Sequence, residues 1–130
     1  MVISHENQTL VESTLHCHDS YFESFSVDFE RRVICIVLTK SWASNIRRIQ
    51  FTDYLFCTMT GFEPWGSGCS ILGWQILAQD EAAAVFDVSI RQEDKNQACD
   101  LSLLLCSEFV LDSGDRIRIV CKSAEVELWG

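Results

Sequence analysis

Phe25-Ser26-Val27-Asp28-Phe29-Glu30 alternates apolar and polar side chains with a period of two, the pattern of a strand with one face against a core. After Arg31-Arg32, a polar pair suited to a turn, the chain resumes as Val33-Ile34-Cys35-Ile36-Val37-Leu38, apolar at every position and rich in β-branched side chains. A run apolar on both faces suits a central strand covered twice, and the two stretches together read as a hairpin. That hairpin sets the fold class.

Working outward, Ser41 to Asn45 reads as a loop and Ile46 to Met59 as a further strand, through Ile49, Phe51, Tyr54, Leu55 and Phe56. Gly61 to Gly68 contains the chain's single proline and three of its six glycines, so it forms a loop or a set of tight turns. Ile71 to Leu77 and Val85 to Ile90 read as strands. Gln79 to Ala84 suits either a loop or one helical turn, and Arg91 to Gln97 is a charged connection. Asp100 to Leu111 is apolar and fits a helical face as well as a strand. Asp112-Ser113-Gly114-Asp115 is a turn signal, followed by two alternating runs, Arg116 to Ile119 and Ala124 to Leu128. Strands punctuated so often predict an all-β or β-rich α+β fold, an antiparallel β-sandwich or strongly curled sheet with at most two short helices. Residues 1–130 make one domain, with 1–12 expected to be frayed.

The 130 residues are 48% hydrophobic, which excludes intrinsic disorder and permits a core without staples. The longest apolar run is Val33 to Leu38, far short of the roughly 20 residues that a membrane helix needs. Met1 to Glu12 shows no basic-then-apolar leader, so a cytoplasmic location is expected. Seven cysteines are scattered without a Cys-x-x-Cys pair, which argues against a zinc ribbon or a thioredoxin-type site. In a reducing compartment all seven are expected to remain thiols. Cys35, Cys106 and Cys121 lie in apolar runs, where a thiol acts as a small hydrophobe. The formal charge of −9 disfavours phosphate backbones, hence nucleic acid, and favours salt-sensitive encounter with a basic partner.

The densest set of reactive side chains is His16-Cys17-His18-Asp19. On a strand His16 and His18 would share a face and Cys17 would point away, so the cluster lacks a third ligand, and no metal or other cofactor is expected. The alternative is a turn in which the Asp19 carboxylate accepts backbone N–H bonds. A cysteine nucleophile needs a histidine within reach, and no Gly-x-Ser-x-Gly, phosphate loop or His-Glu-x-x-His stands in the chain, so no catalytic residues are assigned. Trp65, in the proline–glycine loop, is either exposed for recognition or a plug at one end of the sheet. Asp80 and Glu81, with Asp87 on the solvent side of the neighbouring strand, form the most compact acidic candidate for partner contact.

One order of features resembles a known group. His18-Asp19-Ser20 leads into the alternating strand, the hairpin returns at Val33 to Leu38, an aromatic-rich strand covers Phe51 to Met59, and Pro64-Trp65-Gly66 precedes a final pair of short strands. Over about residues 14 to 130 this resembles the small immunity proteins of bacterial polymorphic-toxin systems. The resemblance implies an acidic, cytosolic, non-catalytic protein that binds and blocks one basic toxin, with no shared catalytic residues to carry over. A small-molecule-binding or structural module, and a Cys/His-dependent enzyme, are the alternatives.

Overall fold

The computed structural model describes residues 1–4, 6–15, 20–40, 43–59, 70–77, 104–112 and 114–129. One helix, α1 (Gln8–Leu15), precedes six strands: β1 (Tyr21–Asp28), β2 (Val33–Lys40), β3 (Ala43–Met59), β4 (Ile71–Ile76), β5 (Leu105–Leu111) and β6 (Arg116–Trp129). They form one antiparallel sheet in the order β1-β2-β3-β6-β5-β4. The expected β-rich class is therefore found, as one sheet among the described residues.

The sheet curls until its two edge strands meet at one end. Tyr21 of β1 bridges Ser70, just before β4, and the Ile71 N–H donates to the Ser20 carbonyl at 2.8 Å. Inside the curl, side chains line up across strands in rows such as Phe25–Ile36–Ile49–Val126 and Val27–Ile34–Phe51–Ala124. Phe109 of β5 lies edge-on to Phe51 of β3, and edge-on to Phe22 of the far strand β1 at 6.3 Å between ring centres. A flat sheet would keep β1 and β5 apart, so this ring contact records the closure. Burial of rings such as Phe51 and Phe109, both fully enclosed, supplies roughly 1.5–3 kcal/mol each.

The curl is built where the period-two pattern breaks. Phe51 and Tyr54 both face inward, as do Cys121 and Ala124 on the partner strand, so the alternation slips by one on both strands around Asp53 and Lys122-Ser123. Asp53 takes a left-handed backbone with φ of 54°, a conformation that aspartate tolerates better than most residues. A bulge between Tyr54 and Phe56 follows, and bulges bend a strand and raise its twist. Arg32 clamps this bend. Its carbonyl accepts the Tyr54 N–H at 3.2 Å, its Nε donates to the Tyr54 carbonyl at 3.4 Å, and its guanidinium sits 5.6 Å from the Tyr54 ring centre.

Three expectations change, and one stretch left open between helix and strand takes its form. The start of the chain is tied down rather than frayed: Val2 bridges Glu125, the Ile3 N–H donates to the Ala124 carbonyl, and Ile3 and Val11 are buried in the core. Asn7 organises this segment, its side chain holding the Ser4 N–H and the Val2 carbonyl while its own carbonyl accepts the first helical N–H, from Val11. β2 is enclosed on one face only, with Ile34, Ile36 and Leu38 buried but Val33, Cys35 and Val37 half-buried. The ambiguous apolar stretch holds a strand, Leu105–Leu111, whose side chains are buried on both faces; that erases the alternation that would have marked it. Finally, Arg116 to Ile119 and Ala124 to Leu128 belong to one continuous strand, β6, and the break between them is the slip just described. The Asp112–Asp115 turn stands where expected, with Gly114 at φ of 89°, open to glycine at no steric cost. The expected strand at Val85 to Ile90 lies outside the described residues, as do the Gly61–Gly68 loop, Gln79 to Ala84 and Arg91 to Gln97. No helix among the described residues is long and apolar enough to cross a membrane.

Candidate partner-binding surface

Trp65, Asp80, Glu81 and Asp87, proposed from sequence as the partner contact, lie outside the described residues, and so do His16, Cys17, His18 and Asp19. What the described residues show is a sheet whose outer face differs from one end to the other.

At the β1–β2–β3 end that face is polar and open. A shallow recess of about 270 Å³ is lined by Ser26 and Asp28 of β1, Arg31 of the turn, Val33 and Cys35 of β2, and Arg48 and Gln50 of β3. Register explains the grouping, because Ser26, Cys35 and Gln50 are cross-strand partners on one row. Arg48 Nε donates to Cys35 Sγ at 2.9 Å. Asp28 Oδ1 accepts the N–H groups of Glu30 and Arg31 at 3.1 and 3.0 Å, which closes the β1–β2 turn as an aspartate does in an Asx turn. The accompanying Arg31–Asp28 ion pair, at 4.0 Å with the arginine side chain 83% exposed, adds little.

At the β3–β6–β5 end the same face is buried. Leu77, Leu104, Cys106 and Val120 make a second apolar cluster, with Leu55 and Phe56 packed against it. Beside it stands a buried carboxylate. Glu108 is 2% exposed and accepts hydrogen bonds from Arg118 Nε at 2.6 Å and Gln75 Nε2 at 2.9 Å, with Arg116 3.8 Å away. Burial by itself would raise its pKa, but the hydrogen bonds from Arg118 and Gln75 and the charges of the two arginines prevail and hold it below the ordinary carboxylate value. Gln75, Glu108 and Arg118 are register partners on β4, β5 and β6, so the carboxylate pins three strands together. This is a structural pin.

The described cysteines, Cys35, Cys57, Cys106 and Cys121, are free thiols; Cys17, Cys69 and Cys99 lie outside the described residues. Burial pushes Cys57 and Cys106 up to about 11 and Cys121 up to about 12, so these three stay protonated at neutral pH and are poor nucleophiles. Sequence reading placed Cys106 and Cys121 correctly as packing residues. Cys35 differs: it is half-exposed beside a guanidinium. Its parity with Ser26, across the hairpin, was the available signal. Nothing local marked Glu108, whose partners come from two other strands.

Compared with known proteins, the chain matches no family model and no curated protein.

Proposed function

We propose that this domain is a non-catalytic, acidic protein-binding module that docks onto a basic protein and blocks it, in the manner of toxin-neutralising immunity proteins, in the reducing cytoplasm. One observation carries this reading: the interior of the curl is filled by its own side chains, including the wholly buried Phe51, Phe109, Ile36, Ile49 and Ile119, so the working surface is the outside of a protein with net charge −9. In the sequence from Asp80 to Asp100 the acids Asp80, Glu81, Asp87, Glu93, Asp94 and Asp100 outnumber Arg91 and Lys95. Long-range fields of this sign accelerate encounter with a basic surface.

A small-molecule module is the second reading, and the recess beside Cys35 and Arg48 is what favours it. At about 270 Å³ and open to solvent, the recess falls below the roughly 300–1,000 Å³ of enclosed ligand sites. Protein docking therefore ranks first. The test is co-expression and affinity capture with the product of the neighbouring gene, followed by association kinetics across a salt series. A complex whose on-rate falls steeply with salt is expected. With Asp80→Ala and Glu81→Ala combined, association slows several-fold at low salt and the difference shrinks as salt rises. Failure to capture any partner, in either order of tagging, counts against the reading.

A further inference from the structure

β1 is the outermost strand on its side of the sheet, paired with β2 and, at Tyr21 only, bridged to Ser70. From Phe22 to Asp28 its far edge has no strand partner among the described residues, and a strand edge without a partner presents a row of backbone N–H and C=O groups. The eight residues of the strand span about 27 Å. The two sides of this lip differ in chemistry. On the inner side Phe22, Phe25 and Val27 pack against the core yet remain partly exposed, and Phe29 just beyond them is 81% exposed. On the outer side stand Glu23, Ser24, Ser26 and Asp28, all exposed. Residues 21–30 contain Glu23, Asp28 and Glu30 and no lysine or arginine.

We propose that the β1 lip is a docking edge that takes an extended segment of a basic protein as an added strand, with apolar side chains alternating with lysine or arginine. The proposal rests on the basic-partner reading above and names its surface. An added antiparallel strand satisfies the open backbone groups, while its alternate side chains meet two different strips. Apolar ones cover Phe22, Phe25 and Val27 and exclude water from them. Basic ones stand opposite Glu23 and Asp28, where opposite charges across a strand pair are favourable. A second copy of the chain is the poorer occupant, because its own β1 edge carries Glu23, Asp28 and Glu30 and no lysine or arginine, so two such acidic edges brought together repel. The bulge between Phe22 and Ser24 interrupts regular pairing, so the straight stretch available is Ser24 to Asp28.

The test uses the full chain and a short, end-blocked peptide alternating lysine and valine, with a glutamate–valine peptide as the control. Amide hydrogen exchange is followed residue by residue. The expected result is slowed exchange within Phe22 to Asp28 on adding the lysine peptide and no change with the glutamate peptide. Glu23→Lys combined with Asp28→Asn, the asparagine keeping the acceptor that closes the turn, weakens peptide binding about fivefold or more. Glu12→Lys, an exposed charge change on α1, leaves it unaltered. Protection outside β1, protection by both peptides alike, or slowed exchange in β1 of the free protein together with dimer in sedimentation would each overturn the proposal. The two readings fail separately. A captured natural partner that leaves β1 exchange unchanged removes the lip and keeps the basic partner, whereas peptide binding at β1 with no partner captured does the reverse.

Discussion

β5 and β1 lie across the curl from one another and meet through Phe109 and Phe22, yet they have opposite characters. Along β5 every residue from Leu105 to Leu111 is buried except the half-buried Val110, with strands on both sides and Glu108 pinned by three partners. Along β1 the residues alternate largely between exposed and half-buried, and beyond the Tyr21 bridge the edge away from β2 has no strand partner among the described residues. The difference teaches where this protein can and cannot change. β5 lies inside the sheet with a strand on each side, whereas β1 keeps Glu23 and Asp28 exposed.

Core truncation should separate the two strands most sharply. Phe109→Ala removes a ring enclosed between Phe22 and Phe51 and should cost about 3–5 kcal/mol in urea unfolding. Phe25→Ala, at a half-buried site on β1, should cost roughly half as much. Equal losses would erase the contrast.

The next effect belongs to the carboxylate pin. Glu108→Gln should cost about 2 kcal/mol, since it removes a charge-assisted bond and leaves Arg118 poorly matched. Because the folded pKa of Glu108 is depressed, its stabilising contribution is full above the unfolded value near 4.3 and is lost as pH falls through the lower folded one. Acid titration of unfolding should therefore show the wild type losing its advantage over the glutamine variant below about pH 4.

The buried thiols have the converse sign. With Cys57 and Cys106 raised to about 11 and Cys121 to about 12, the folded chain holds its thiol protons longer than the unfolded chain. Stability is unaffected below the unfolded thiol value near 8.5 and falls as pH rises above it. Urea midpoints compared at pH 8 and pH 10 test this. In the native protein Cys35 should alkylate ahead of Cys106 and Cys121, because it is half-exposed on the outer face while those two are buried. The smallest stability effect is on β1 itself: Glu23→Lys should change unfolding free energy by no more than about 0.5 kcal/mol, while altering association with a basic partner.

The contrast also explains how much of the molecule could be read from its sequence. β1 was legible because one side of it meets water, which leaves apolar and polar residues in strict alternation from Phe25 to Asp28; the pattern's continuation to Phe29 and Glu30 belongs to the exposed turn. β5 was not, because burial on both faces makes Leu105-Cys106 and Phe109-Val110-Leu111 apolar without a period. β6 was split in two by the slip at Lys122-Ser123, a local event that only its partner strand β3 makes intelligible. The N-terminal segment was misjudged because Val2 and Ile3 gain their hydrogen bonds from residues over a hundred positions away. The open lip could be seen as a strand but not as an edge, since strand order is set by pairings between distant segments. Charge, by contrast, is a property of the chain itself, and the net charge of −9 needed no structure to be counted.

Native-state hydrogen exchange on the unliganded protein tests the account most directly. Amides of β5 and of β6 from Ile117 to Cys121 should exchange only through global unfolding, and their free energies of opening should equal the stability measured in urea. The amides of β1 that point away from β2 should exchange orders of magnitude faster, near the rates of surface loops. Protection of those β1 amides equal to that of β5 would mean that the lip is already covered, and would contradict the claim that the protein offers an open strand edge to a partner.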